Sequence, residues 1–191
     1  LSPDLILVPF KAAQQLPQIE ALGVPALVIE PETMKNFFSY VEMLGAASGN
    51  REQAQKLLDF YKAILNDVAG FVKGEPAVSV YVSSRSDMLN ALSSKMFQAE
   101  LVAAAGGKLV SDDITDVYWT KVSLEQVQKY APQVIVAATG SKVTPAELAG
   151  KAEWKGIPAV DNGKVYVFPS NVDEWDSPIP CSCLGVIWLA D

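Results

Sequence analysis

The stretch NREQAQKLLDFYKAILNDVAGFVK, residues 50–73, limits the fold of this chain more than any other. Ala54, Leu57, Leu58, Tyr61, Ile64, Leu65, Val68 and Val72 recur at the i, i+3, i+4, i+7 spacing of a helix with one buried stripe. Ser48 or Asn50 is placed to cap its start, and Glu52 sits in the electropositive first turn. Gly74, followed by Pro76, closes it. At 1.5 Å per residue such a helix is roughly 35 Å long, the width of a small domain. The segments before and after it both read as strand–helix units. One rod between two such halves predicts a spine joining two lobes with a cleft between them. The competing reading is a long core helix inside one α/β domain.

Ahead of the rod, residues 5–8 and 24–29 are short continuous apolar runs bounded by prolines, the signature of buried parallel strands. Residues 12–22 and 32–45 read as the helices that follow them. Two strands do not make a stable sheet, so the first lobe reads as incomplete. The chain opens on LSPDLILVP, with no signal peptide, and closes on CLGVIWLAD. It therefore reads as a mature protein with missing ends, or as a fragment. After the rod, strands are expected at residues 77–82, 108–110, 134–138 and 165–168, alternating with helices at 94–105, from Ser123, at 145–148 and from about Cys183. Residues 111–120 read as a loop. Ser123 with Gln126 three residues on fits a capping box.

Composition removes several functions. The 191 residues carry a net charge of -7, and no basic patch is available to offset phosphate repulsion, which argues against nucleic acid. No apolar run reaches the ~18 residues of a membrane span. The absence of histidine removes the commonest general base and the commonest transition-metal ligand. Cys181 and Cys183 stand too close in sequence for an unstrained disulfide and read as thiols. Asp112 and Asp113 are adjacent carboxylates without the alternating spacing of a hard-cation loop. No nucleophile–base pair, P-loop or dinucleotide fingerprint is present. No catalytic residue, metal site or cofactor is assigned.

In parallel α/β sheets, ligands sit at the carboxyl ends of the strands. That rule selects the loops after residues 8, 82, 110, 138 and 168. Within them Arg85, set among serines, is placed to clamp a carboxylate, phosphate or oxyanion; the competing reading is a surface pair with Asp87. Tyr118 and Trp119 offer two amphipathic rings for a flat ligand or a lid, or alternatively anchor their loop on the core. Trp175 either walls a cleft or packs on the last helix. Thr139-Gly140-Ser141 either presents hydroxyls and N–H groups to an anion or is a plain turn. Arg85 together with Lys11 favours an anionic ligand, and the aromatic loop favours something larger than a bare ion.

An ordered set of stretches then resembles the class III substrate-binding proteins of ABC importers, the group binding vitamin B12, ferric siderophores, haem and some metal oxyanions. It comprises PDLILVP, LPQIEALGVPALVIE, the rod, AELVAAAGGKLV, VYWTKVSLEQVQKYAPQVIVAATG, WKGIPAVDNGKVYVFPS and SPIPCSCLGVIWLA. Its pattern residues here are Trp119, Val122, Ser123, Glu125, Pro132 and Ile135, then Trp154, Ile157, Ala159, Val160, Gly163, Val165, Tyr166 and Pro169.

The resemblance implies two Rossmann-like α/β lobes joined by one long helix, divided as residues 1–49, 50–74 and 75–191, with the amino-terminal lobe incomplete. It implies a non-enzymatic, extracytoplasmic receptor, periplasmic or a cell-surface lipoprotein whose lipid anchor is absent from this chain. The ligand would be a ferric siderophore, corrinoid or related metal complex, held by Ser84, Arg85, Tyr118, Trp119 and the segment from Asn171 to Trp175, to which the strand-end rule adds Phe10 and Lys11. The partner would be an ABC permease, docked through Glu153; the matching stretch of the first lobe, residues 11–18, holds no acid. The competing readings are a Rossmann-like subunit of a metal-cofactor enzyme, a molybdate or tungstate receptor, and a structural interaction domain.

Overall fold

The computed structural model describes residues 2–191; Leu1, the first residue of the expected first lobe, lies outside the described residues. Two separate sheets form. In the first, β1 (Ile6–Pro9) and β2 (Ala26–Ile29) pair in parallel, with Leu7 opposite Leu27. Residues 12–22 are not one helix. A 3-10 segment, Phe10–Gln15, runs into the short helix α1 (Leu16–Glu20). Pro17 explains the break, because it has no N–H to return to the preceding turn and its ring crowds the carbonyl there. Helix α2 (Met34–Ala47) begins where the Thr33 hydroxyl accepts the Asn36 N–H at 3.1 Å.

The rod is continuous as α3 (Arg51–Phe71), 21 residues. Neither expected side chain caps it: Asn50 occupies the cap position, but its amide turns back and donates to the Ser48 carbonyl at 3.1 Å. Its start packs tightly on α2, where a Cβ on Gly45 would lie 2.4 Å from that of Ala54. Further along, Tyr61 and Val68 bury against Phe37 of α2. They also bury against Phe97 and Leu101 of α4 (Phe97–Ala104) and Cys183 and Val186 of α8 (Ser182–Ala190). The rod therefore touches elements on both sides of it in sequence and lies within neither sheet. The Tyr61 hydroxyl donates to Ser182 Oγ at 2.8 Å, since the Ser182 proton itself goes to the Ile179 carbonyl at 2.7 Å.

The second sheet has six strands, not four, and is mixed. β3 (Ser79–Ser83), β7 (Val134–Ala137) and β8 (Val165–Val167) run parallel, and β5 (Lys108–Leu109) lies along the first half of β3. The additions are β4 (Asn90–Leu92), antiparallel to the end of β3, and β6 (Trp119–Lys121), antiparallel to β4 at the sheet's edge. The chain returns from β3 because Asp87 Oδ1 accepts the Leu89 N–H at 2.9 Å while the Ser84 N–H reaches the Asn90 carbonyl at 2.9 Å. Helix α4 starts later than residue 94 because the Ser94 N–H and hydroxyl both donate to the Ile114 carbonyl, each at 3.1 Å.

Both faces of this sheet are covered. Val80, Val82 and Val136 point to α4 and α8 with Val102, Leu109 and Phe168, whereas Tyr81, Ile135 and Ala137 point the other way with Val127, Leu148, Trp154 and Ile157. The second set is roofed by α5 (Leu124–Tyr130), α6 (Pro145–Ala149) and α7 (Pro158–Asp161). Strand alternation thus feeds two buried layers, which is why these strands read as unbroken apolar runs. Ser123 caps α5 by accepting the Gln126 N–H at 3.2 Å. Cys181 and Cys183 are both free thiols, and burial pushes both up from their ordinary pKa.

Candidate functional site

Two groups of polar side chains form at strand ends. The first joins the two sheets' surroundings. Lys11 follows β1 and Glu30 follows β2; Tyr118 precedes the edge strand β6. The Tyr118 hydroxyl donates to Glu30 Oε1 at 2.7 Å, and the Lys11 ammonium lies 5.5 Å from the centre of the Tyr118 ring, a cation–π distance. The Glu30 N–H donates to the Tyr40 hydroxyl, and Glu100 of α4 accepts the Met34 N–H at the start of α2. The Glu30 carboxylate, as acceptor, pushes the Tyr118 phenol up to about 12. Burial raises Glu32 above the usual carboxylate range; the Lys11 charge opposes this, and Glu30 reinforces it. Ser93 donates its N–H to the Tyr118 carbonyl at 3.1 Å, and exposed Lys95 donates its own N–H to Ser93 Oγ at 3.2 Å.

Of the residues expected from sequence, Lys11 and Tyr118 therefore meet, with Phe10 exposed next to Lys11. Glu30 and Glu32 were not expected, nor was the turn at Lys95 that holds Ser93 against the Tyr118 carbonyl. The signal for the two acids was available: the loop after residue 29 follows a strand and is stopped by Pro31, so the strand-end rule selects it as it does the others. Lys95 belongs to a turn read as part of a helix. Trp119 is not in a loop. It lies in β6 and packs, half-buried, against the core layer of Val82 and Leu92, which is the anchoring alternative.

The second group lies at the carboxyl ends of β3, β7 and β8. Arg85 pairs with Glu174, not with Asp87, at 3.1 Å from Nη2 to Oε1. Asp87 instead faces Lys121 at 3.5 Å and uses its other oxygen to hold the β3–β4 turn. Gly140, after β7, stands beside the guanidinium: a Cβ there would be 3.9 Å from Arg85 Nη1. Thr139 donates its N–H to Asp176 Oδ2 at 3.0 Å, so the Thr139–Ser141 segment is tied to the last loop. Asp176 Oδ1 and Trp175 Nε1 are buried without a hydrogen-bond partner among the described residues. The Trp175 backbone is pressed on α8, where a Cβ on Gly185 would come within 2.5 Å of its carbonyl oxygen. Ser84 is buried, and its hydroxyl accepts the Asp87 N–H at 3.2 Å, so it shapes the turn. Asn171 is exposed. Glu153 is exposed on a 3-10 turn, Ala152–Trp154, fixed by buried Trp154 and by the Gln128 amide on the Glu153 carbonyl at 3.2 Å.

Two cavities lie elsewhere. One of about 1240 Å³ runs between α2, α3 and Pro178, Ile179 and Pro180; another of about 550 Å³ lies beside Val80, Val136 and Trp188. Neither is lined by Arg85, Tyr118 or Trp119. Orienting polar groups distinguish ligand sites from apolar gaps, and these converge at the strand ends instead. Among the described residues no group of three or more His, Cys, Asp or Glu is placed to hold a metal ion.

Residues 1–172 match the sequence profile of the family described as Periplasmic binding protein. The chain belongs to the periplasmic binding protein family. A curated relative of this family, the vitamin B12-binding protein of Yersinia pestis (strain Pestoides F), is 30% identical over 141 residues, covering 72% of this chain and 50% of the relative. The chain spans about half the length of the curated relatives it matches. Among solved structures, Helicobacter pylori CeuE with Ni(II) bound superposes with a TM-score of 0.86 at 17% identity, over 99% of this chain and 61% of that one. The Haemophilus influenzae molybdate-binding MolA superposes with a TM-score of 0.81 at 21% identity, over 98% of this chain and 64% of that one. These likenesses establish the α/β fold of two-lobed periplasmic binding proteins, which the resemblance predicted.

Proposed function

We propose that the protein is the extracytoplasmic solute-binding component of an ABC importer, carrying a corrinoid, ferric siderophore or related metal complex to its permease. The observation that carries this reading is the junction of Lys11 and Glu30 with Tyr118, where loops flanking strands of two separate sheets meet, together with a rod that packs on α2 on one side and on α4 and α8 on the other. In this reading residues 1–49 and 75–191 are the two lobes, residues 50–74 are the spine, and Glu153 faces the permease. Phe10, Lys11, Ser84, Arg85, Tyr118, Trp119, Asn171 and Trp175 remain the proposed ligand set, with buried Ser84 and half-buried Trp119 supporting it from behind.

The ligand class is narrowed by charge. Lys11 lies by Glu32, Arg85 by Glu174 and Lys121 by Asp87. A small oxyanion held without water needs uncompensated donors. The pairing of Arg85 with Glu174 and the seat of Lys11 over the Tyr118 ring support a larger complex with apolar surface over molybdate or tungstate. Calorimetry against cyanocobalamin, ferric siderophores, haem, molybdate and tungstate tests the proposal. One ligand bound per chain is expected; no heat with any of them would overturn it. Arg85→Ala is expected to weaken an anionic ligand by roughly 1.5–3 kcal/mol, the range for hydrogen bonds to charged groups; unchanged affinity would remove Arg85 from the site.

A further inference from the structure

We infer that Glu174 sets the charge selectivity of this receptor by neutralising Arg85 in advance, so that the site prefers neutral or cationic complexes over anionic ones. The inference rests on the ligand-binding reading of the Arg85 cluster given above.

An exposed ion pair is ordinarily loose and of little consequence. This one is built in. One Glu174 oxygen accepts from Arg85 Nη2 at 3.1 Å and the other accepts the Ser177 hydroxyl at 2.8 Å. Its backbone N–H is taken by Asp173 Oδ1 at 2.9 Å, and the Ser177 N–H returns to its carbonyl at 3.3 Å. The next residue, Trp175, is pinned on α8 at Gly185, and Asp176 ties the same loop to Thr139. The carboxylate is thus held at the end of the sheet by contacts that do not involve Arg85. An anionic ligand reaching for the guanidinium meets a fixed negative charge already there, and displacing it breaks the Ser177 bond as well. Like charges brought together at a binding surface disfavour the wrong partner more than paired charges favour the right one.

The experiment measures affinities of wild-type and Glu174→Gln full-length protein for three metal complexes of different charge: cyanocobalamin, which is neutral, ferrioxamine B, which is a cation, and a ferric tris-catecholate, which carries three negative charges. Glu174→Gln is expected to raise the affinity for the tris-catecholate about tenfold relative to cyanocobalamin, the scale of one unscreened charge pair at short range. Glu174→Asp is expected to keep the wild-type ratio, and the melting temperature should not move in either variant. A ratio unchanged in Glu174→Gln, with at least one probe bound by wild type, overturns this inference and leaves the receptor reading standing. A ratio that shifts equally in Glu174→Asp also overturns it, because loop shape rather than charge would then be responsible. Silence of wild type toward all three overturns the receptor reading and this inference with it.

Discussion

Tyr118 and Tyr61 are two tyrosines in opposite circumstances. Tyr118 owes its raised pKa to a carboxylate acceptor at a half-buried junction, whereas Tyr61 owes its value of about 12 first to burial. Removing the Tyr118 hydroxyl with Tyr118→Phe takes away the bond to Glu30 and should cost about 1 kcal/mol in urea unfolding, since the pair is partly solvated. No loss would mean that the junction contributes nothing to stability. For Tyr61 the sign is fixed by the direction of the shift. Its folded pKa is raised from 10.0 to about 12, so the folded state holds the proton more tightly. The stability it contributes is complete below pH 10 and is lost as pH rises through 12. The stability difference between wild type and Tyr61→Phe should therefore be flat up to pH 10 and then shrink by about 2 kcal/mol by pH 12. A difference that stays constant across this range would contradict the buried, donating hydroxyl.

Two glycines decide how elements meet. At Gly45, α2 and α3 approach within the space of one methyl group. Gly45→Ala should push them apart and cost about 1–3 kcal/mol, the usual penalty for overpacking, read as a drop in the urea midpoint. At Gly185 the obstacle is the Trp175 carbonyl, so Gly185→Ala moves the loop carrying Glu174 and should weaken ligand binding more than it lowers stability. An unchanged affinity would separate that loop from the site. At this scale the sequence was read well where periodicity is long. The 21-residue rod and the apolar runs of β3 and β7 were legible because burial on one stripe, or on both faces, leaves a pattern over many residues. β4 and β6 were not, because three residues are too few to alternate and their pairing depends on the turn that Asp87 makes. The partner of Arg85 was missed for a related reason: Glu174 is distant in sequence and is brought to it by a loop that packs on α8 at Gly185 and is tied to Thr139 through Asp176.

For the whole molecule, the proposal is that a rod lying outside two sheets, packed on α2 on one side and on α4 and α8 on the other, braces a cleft in which a guest would sit. The family was legible from an ordered set of motifs, while the ligand was not, because of the two cations expected to select it Arg85 is paired with Glu174 and Lys11 is seated over the Tyr118 ring, and both partners come from distant sequence. Hydrogen exchange, read by mass spectrometry with and without a saturating amount of the probe that binds in calorimetry, tests the arrangement most directly. The account predicts new protection on both sides of the rod, in the segments around Lys11 and Glu30 and in those around Arg85 and Tyr118. Protection confined to one side, or centred on the groove between α2 and α3, would contradict it.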